Sequence, residues 1–342
     1  MIRDFFYNIL GIHLAAEGPN VFELENNSDE CNIENSERNK FYLKQLSPVN
    51  YSFRPQTLNE YIGQELAKEK TRVTLEKIMR YKMSHILLSG IKGGGKTTLA
   101  NIISKNLGYK IHYVVGNSFT MDALKDFLKL NEETEETMCL FLDEVHSINK
   151  EIAEFLYPIL EDFILPIGED IHLKPFLFIG ATTEKNILDK KYSPLVDRCA
   201  SQIVLEQYKA EDIEQILKQY NNQVYKENIE DDIFKILSIN SRYTPRISIA
   251  LFDDYIVTKD INKTLRINRI IKNSLTDIDI KILEYLKTVS CAGEDALSII
   301  SQQSKQDYKQ LYEKFLFSEG YILRGRGGRS ISEKGKQFLK EV

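Results

Sequence analysis

The stretch HILLSGIKGGGKTTLANIISKNL, residues 85–107, decides the fold of this chain. It opens with the short apolar run HILLS, typical of a buried strand, and ends with TLANIISKNL, which has the apolar spacing of a helix. Between them, residues 90–97 match the phosphate-loop pattern GxxxxGK[ST] in the strand-to-helix context that this pattern requires. Glycines let backbone N–H groups surround phosphates, and the helix presents its positive N-terminus, whereas a simple turn needs no Lys-Thr pair. We therefore predict a nucleotide site in which Lys96 binds the outer phosphates and the Thr97 hydroxyl binds Mg²⁺.

Outward from this loop, short apolar runs such as KIHYVV, MCLFLD and FLFIGAT alternate with amphipathic helices. Strands separated in this way by helices predict a parallel sheet covered on both faces, which is a doubly wound α/β domain. Helical spacing dominates beyond residue 202, and three helices followed by a basic hairpin are expected after residue 276. The predicted units are 1–47, 48–208, 209–272 and 273–342.

The N-terminal unit has a different composition from the rest of the chain. Residues 19–39 are rich in Asn, Glu, Ser and Asp and cannot bury enough apolar surface to select one conformation, so they are expected to form a mobile tether. Residues 5–14 before them are compatible with a small docking helix and equally with a frayed terminus. We predict an N-terminal extension that is partly flexible.

The bulk composition limits the classes of function. The 342 residues carry a formal net charge of -5, so contact with nucleic acid requires a local basic patch. The cysteines are widely spaced without a CxxC pair, which argues against a disulfide scaffold or a zinc knuckle and indicates free thiols in a reducing cytosol. No segment reads as a signal peptide or a membrane span, so a cytoplasmic protein is expected. The cysteines are Cys31, Cys139, Cys199 and Cys291.

The second chemical motif is MCLFLDE, residues 138–144, an apolar strand that ends in two acids. Asp143 can hold the Mg²⁺ shell, while Glu144 can polarise the water that attacks the terminal phosphate. A lone acidic pair is often only a solvated strand end, but the preceding phosphate loop favours the catalytic interpretation. A third strand, FLFIGATT, ends in two hydroxyl side chains, as a position that senses the γ-phosphate requires.

Several longer motifs together resemble the RuvB family of Holliday junction branch migration ATPases, which belong to the AAA+ class. They occur in the family order and extend over nearly the whole chain after the tether. The resemblance implies an AAA+ P-loop domain with a parallel sheet, a small all-α lid domain and a C-terminal winged-helix DNA-binding domain. It further implies an ATP-hydrolysing motor of six subunits around double-stranded DNA, with four-way junctions as the expected substrate. The motifs are FRPQTLNEYIGQE, GKTTLANIIS, LFLDEVHSIN, LYPILEDF, FIGATT, SPLVDR, YTPRI and EKFLFSEGYILRGRGGR.

The resemblance also assigns roles to individual residues. Thr183 matches the sensor at the end of its strand, Arg198 the arginine finger given to a neighbouring subunit, and Arg246 the sensor of the lid. Without the family, Arg198 would be read as a surface arginine. The catalytic set is then Lys96, Asp143, Glu144, Thr183 and Arg198, with Thr97 and Asp143 as metal ligands. The nucleotide-binding set is Arg54, Pro55, Tyr61, Ile62, Gly90, Gly93, Gly94, Gly95, Lys96, Thr97, Thr98 and Arg246.

Five basic residues of the last unit are candidates for DNA contact. Lys305 and Lys309 lie on the expected recognition helix, and Arg324, Arg326 and Arg329 lie among the glycines of the hairpin. A glycine-rich basic wing can approach phosphates closely, and such contacts position a protein without reading sequence. A solvated basic tail is the simpler alternative, which the preceding helical triplet disfavours.

The chain also departs from the family pattern. The segment ILPIGEDIHLKP is shorter than the family hairpin that docks on the partner RuvA, so coupling to a RuvA-like partner is the part of the resemblance that the sequence supports least. Glu184 stands where the family usually has Arg, Val196 replaces the first arginine of its motif, and three extra residues precede SPLVDR. A clamp-loader-like or mobile-element AAA+ ATPase that remodels a DNA-bound partner is the alternative, and a nucleotide-switched adaptor without hydrolysis is a third reading.

Overall fold

The structure is a computed structural model that describes residues 53–81, 84–165 and 171–341. The predicted tether and docking helix, within residues 1–47, lie outside the described residues. No helix within these described ranges is both long enough and apolar enough to cross a membrane.

The first domain is built on a parallel sheet of five strands. They are β1 (Ile86–Gly90), β2 (Lys110–Val115), β3 (Met138–Asp143), β6 (Leu177–Thr182) and β7 (Ser201–Leu205), in the order β2-β3-β6-β1-β7. Strand β3 shows why both faces are covered, since Leu140 and Leu142 enter one apolar cluster while Cys139 and Phe141 enter the other. The predicted doubly wound α/β domain is therefore confirmed. Its helices are α1 (Glu65–Arg80), α2 (Lys96–Leu107), α3 (Met121–Glu133), α4 (Lys150–Asp162), α5 (Lys185–Lys191) and α6 (Ser193–Arg198).

The strand order brings the chemical motifs together. Strands β3, β6 and β1 are neighbours in the middle of the sheet, and parallel strands end at the same edge. The phosphate loop follows β1, Asp143 and Glu144 stand at the end of β3, and Thr183 follows β6. The functional groups of three distant segments thus meet at one edge of the sheet.

The shortened segment after α4 forms a small antiparallel hairpin. Strand β4 (Ile164–Leu165) pairs with β5 (Ile171–His172), and the residues between them are outside the described ranges. Each of the two strands has two described residues.

The second domain is helical and packs around Phe252, which is fully buried. Phe53, at the start of the described chain, packs against the same cluster, so the lid contacts the segment that precedes the first domain. A hairpin follows, β8 (Ile270–Lys272) with β9 (Leu275–Thr276), and the expected boundary after residue 272 falls inside it. The helices are α7 (Ala210–Gln223), α8 (Asp231–Ile239), α9 (Pro245–Thr258) and α10 (Ile261–Ile267).

The third domain has the three helices and the hairpin expected for a winged helix. Its third helix is continuous from residue 305 to residue 318, with a π-helical segment Tyr308–Glu313 between α13 (Lys305–Asp307) and α14 (Lys314–Ser318). The wing is the antiparallel pair β10 (Ile322–Gly325) and β11 (Gly328–Ile331). The other helices are α11 (Asp277–Thr288), α12 (Glu294–Ser301) and α15 (Glu333–Glu341).

Candidate functional site

The phosphate loop is shaped by glycines that other residues could not replace. Gly93 and Gly95 have φ of 76° and 97°, a backbone region that side chains rarely tolerate. A Cβ on Gly95 would also lie 2.4 Å from the hydroxyl of Tyr61. The loop and the tyrosine therefore pack as one surface, which explains why the sequence places glycine there.

Lys96 lies at the start of α2 and is 6% exposed. Its Nζ donates to the carbonyl oxygens of Gly90 and Ile91, each at 3.0 Å. Burial lowers the pKa of Lys96, while the charges of Glu144 and Asp143 act in the opposite direction. The ammonium is thus held at the centre of the loop, between backbone oxygens and the acidic pair.

The two acids differ in their partners. The carboxylate of Asp143 accepts a hydrogen bond from the backbone N–H of Glu144 at 3.0 Å. Glu144 has a φ of 50°, and its Oε2 accepts from Thr183 Oγ1 at 3.0 Å. His146 Nδ1 lies 3.2 Å from the same oxygen. The side chain of Glu144 is therefore held toward the end of β6.

These groups border one cavity of about 500 Å³ between the first two domains. Arg54, Pro55, Tyr61 and Ile62 line it on one side, and Arg246 at the start of α9 lines it from the lid. Four predicted residues are not among its lining. One of them, Gly94, offers its carbonyl to the hydroxyls of Tyr61 and Tyr208. The predicted residues that line the cavity are Arg54, Pro55, Tyr61, Ile62, Gly93, Gly95, Lys96, Thr97, Thr98, Asp143, Glu144 and Arg246, and those that do not are Gly90, Gly94, Thr183 and Arg198.

Sequence reasoning missed several residues of the cavity wall. Some were within reach, because Phe53, Lys92 and Pro245 are immediate neighbours of predicted residues. The others belong mainly to one face of the lid helix α7, where periodicity indicates burial without saying against what. The missed residues are Phe53, Lys92, Tyr208, Ile216, Gln219, Tyr220, Pro245 and Ile249.

Arg198 is held outside the cavity of its own chain. Its Nε donates to the carbonyl of Tyr157 at 2.8 Å, and its guanidinium forms an ion pair with Glu161 on α4. The side chain is 23% exposed, and it also lies over the ring of Tyr157, 5.2 Å from the centroid. The arginine is thus oriented at the surface by α4.

Four of the five predicted DNA-contact residues are engaged with acids. Lys305 pairs with Asp295, and Lys309 Nζ lies 3.6 Å from a carboxylate oxygen of Glu294. The two paired arginines of the wing both contact Glu313, whose side chain has no exposed surface. Arg329 contacts both of its oxygens, at 2.9 and 3.0 Å, and Arg324 Nε donates at 2.6 Å. Arg326, in the turn between β10 and β11, is exposed.

The replacement Glu313→Gln is expected to loosen the wing. The amide keeps the shape but leaves two guanidinium groups without their buried counter-charge, which is costly. The opening free energy of the β10–β11 amides should fall by about 3 kcal/mol, the low end for a broken buried pair, because Arg324 is half exposed. Native-state hydrogen exchange measures this opening free energy. Glu284→Gln, at an exposed site on α11, is the control, and equal protection in both variants would contradict the prediction.

Comparison with known proteins gives consistent matches over most of the chain. A family profile described as "Holliday junction DNA helicase RuvB P-loop domain" matches residues 53–205, and one described as "RuvB C-terminal winged helix domain" matches residues 272–340. The Holliday junction branch migration complex subunit RuvB of Mycoplasmopsis pulmonis is 33% identical, over 84% of this chain and 98% of its own length. The subunit of the same name from Thermotoga maritima is 32% identical, over 84% of this chain and 92% of its own.

The solved structures agree with the sequence comparison. The Thermotoga maritima RuvB Holliday junction branch migration motor superposes with a TM-score of 0.72 at 32% identity, covering 84% of this chain and 98% of that one. A structure of a point mutant of the same protein gives a TM-score of 0.74. These matches cover the first domain, the lid and the winged helix, and they favour the first functional interpretation over the clamp-loader alternative.

Proposed function

The chain belongs to the RuvB family, and from this premise we propose that it is a motor that hydrolyses ATP to move duplex DNA at Holliday junctions, in recombination and repair. The nucleotide cavity carries the proposal. It gathers the phosphate loop, the acidic pair and the adenine-framing segment of the first domain, and Arg246 of the lid, around one space. A nucleotide bound there contacts both domains, so its hydrolysis can change the angle between them.

Each residue of the cavity has a distinct task in this proposal. The loop N–H groups and Lys96 bind the phosphates, and Arg246 adds a positive charge from the lid. Glu144 polarises the attacking water, and Thr183, which does not line the cavity but contacts Glu144, is the sensor of the γ-phosphate. Tyr61 and Ile62 pack beside the base.

The residues present also fit a magnesium ion. Thr97 and Asp143 both line the cavity, and they offer a hydroxyl and a carboxylate oxygen. Mg²⁺ prefers oxygen ligands and often takes only one or two from the protein, with the rest from phosphates and water. When bound, the ion would neutralise charge on the phosphates.

Assembly into a ring of six subunits is part of the proposal. Arg198 does not line the cavity of its own chain, yet it is oriented at the surface by Tyr157 and Glu161. An arginine held in this way can enter the cavity of a neighbouring copy and stabilise charge on the transferred phosphoryl group. Hydrolysis would then depend on contact between subunits.

The decisive measurement is ATP turnover without DNA, with linear duplex and with a four-way junction, together with branch migration of a labelled junction. We expect the four-way junction to stimulate ATP turnover more than linear duplex does. We also expect the labelled junction to be separated into two duplexes only when ATP is hydrolysed. Equal turnover under all three conditions, without branch migration, would reject the motor proposal.

Replacement of Arg326 tests whether the turn of the wing contacts DNA. Arg326 is exposed in the turn of the wing, whereas Arg324 and Arg329 are paired with Glu313. Arg326→Ala is expected to weaken DNA binding several-fold, and to reduce the slope of log affinity against log salt by about 1, because one phosphate contact is lost. Lys281→Ala, at an exposed site on α11, is the matched control. An unchanged salt slope for Arg326→Ala would move the DNA contact away from the turn of the wing.

A RuvA-like partner is the part of the family's behaviour with the least structural support. The hairpin β4–β5, in the segment where the family docks this partner, has two residues in each strand. Binding of a RuvA-like protein to this chain would be tested by sedimentation of the two proteins together, with and without a junction.

A further inference from the structure

The third domain touches the first domain beside the catalytic acid. Gln310, in the π-helical segment, donates from Nε2 to Oε1 of Glu184 at 2.8 Å, across 126 positions of the sequence. Both side chains are half-buried. Glu184 directly follows Thr183 and is the residue before helix α5. This contact links the winged-helix domain to the end of β6.

From Glu184 a short path of close polar contacts leads to Glu144. The backbone N–H of Glu184 donates to Thr182 Oγ1 at 3.0 Å, and that oxygen lies 3.0 Å from His146 Nδ1. His146 Nδ1 lies 3.2 Å from Glu144 Oε2, the oxygen that also accepts from Thr183. A shift of Glu184 can therefore reach the carboxylate of Glu144 through Thr182 and His146. It can also reach it through the adjacent Thr183, whose hydroxyl donates to Glu144.

This path affects the availability of the carboxylate. Glu144 must offer an oxygen to a water molecule, but Oε2 is already engaged by the Thr183 hydroxyl and lies beside His146. A carboxylate oxygen that accepts a hydrogen bond must give it up before that oxygen can engage water. The described arrangement therefore restrains Glu144.

The third domain is fixed to the lid and not only to the first domain. Arg242, in the turn before helix α9, forms an ion pair with the buried Asp279 at 2.5 Å and lies 4.6 Å from the ring centroid of Phe315. The lid carries Arg246 into the cavity from the start of the same helix. A rotation of the lid would thus carry the winged helix with it and shift Gln310 relative to Glu184.

We propose that Gln310 is a positioning residue that restrains ATP hydrolysis: while it holds Glu184, the end of β6 keeps Glu144 on Thr183, and movement of the winged helix releases both. The inference rests on the proposed function in one respect, because DNA bound to the winged helix is what moves it. In the DNA-free protein the restraint is in place. DNA that draws Gln310 away frees the carboxylate for water.

The test compares Gln310→Ala with Gln306→Ala, an exposed glutamine on the same helix. Gln310→Ala is expected to raise DNA-free kcat about 3- to 10-fold, the shift that corresponds to the net contribution of one typical hydrogen bond, and to leave KM for ATP unchanged. The ratio of junction-stimulated to DNA-free turnover should shrink by the same factor. Gln306→Ala should behave as the wild type.

A double-mutant cycle separates coupling from a general structural effect. Because Gln310 acts through Glu184, the variant with both Gln310→Ala and Glu184→Ala should have the kcat of Glu184→Ala alone. Additive changes, a fall in kcat for Gln310→Ala, or equal behaviour of Gln310→Ala and Gln306→Ala would each overturn the inference. Such results in a protein that migrates junctions would leave the proposed function intact, whereas a wild type without ATP turnover would reject both.

Discussion

Replacement of Arg198 with alanine is expected to lower ATP turnover about 10³-fold, the lower end of the effect known for arginines supplied in trans. The side chain is oriented by the carbonyl of Tyr157 and by Glu161 but does not line its own cavity, so its loss removes a charge from the neighbouring site. Steady-state turnover, measured at a protein concentration that supports assembly, gives the effect. Binding of ATP to the variant should be close to that of the wild type, because its own cavity is intact.

Two controls distinguish a role in trans from a structural one. Glu161→Gln removes the ion-pair partner and leaves the arginine, so it should cost far less than the loss of Arg198. A mixture of Arg198→Ala subunits with Lys96→Ala subunits should regain turnover, because an intact cavity of the first then meets an intact arginine of the second. A mixture as inactive as its components would refute the role in trans.

Replacement of Glu144 with glutamine is expected to lower kcat by about 10²- to 10³-fold while ATP still binds. The amide oxygen can accept the hydrogen bond from Thr183, as the carboxylate does at 3.0 Å, so the local structure should persist. What is lost is the negative charge that polarises the attacking water, an effect within the range of general acid–base groups. Single-turnover hydrolysis and nucleotide-binding titrations measure the two quantities separately.

The matched control for this variant is Glu151→Gln, at an exposed site in the first turn of α4. It changes charge by the same amount without touching the cavity and should leave kcat unaltered. If Glu144→Gln retained turnover within about twofold of the wild type, another group would have to activate the water.

Patterns in the sequence were sufficient to predict the central part of the fold and of the nucleotide site. The strand, glycine loop and helix around Lys96 are contiguous, and their geometry follows from local backbone preferences. The acidic pair stands at the end of an apolar run that forms a buried strand. Because the sheet is parallel, its strands end at the same edge, so the acidic pair lies near the phosphate loop. The three units predicted after residue 47 follow the changes of hydrophobic period, although the hairpin at residues 270–276, with its very short strands, was not predicted.

The ion-pair partners of the charged side chains could not be predicted from sequence patterns. Glu313 sits within a helix rich in charge and would pass for a solvated residue, but the fold buries it against Arg324 and Arg329 of the wing. The charge count of the sequence therefore did not show which basic residues are paired with an acid. The same holds for Arg198, whose ion pair with Glu161 joins two helices.

By itself, then, the sequence determined the elements that depend on neighbours along the chain: the phosphate loop, the strands and helices, and the order of the domains. The tertiary structure alone decided which lid residues close the cavity, which cations are neutralised, and that Gln310 contacts Glu184 near Glu144. The physical reason is that a contact across more than a hundred positions leaves no periodicity or spacing to read. It exists only once packing of the cores has set the domains against each other.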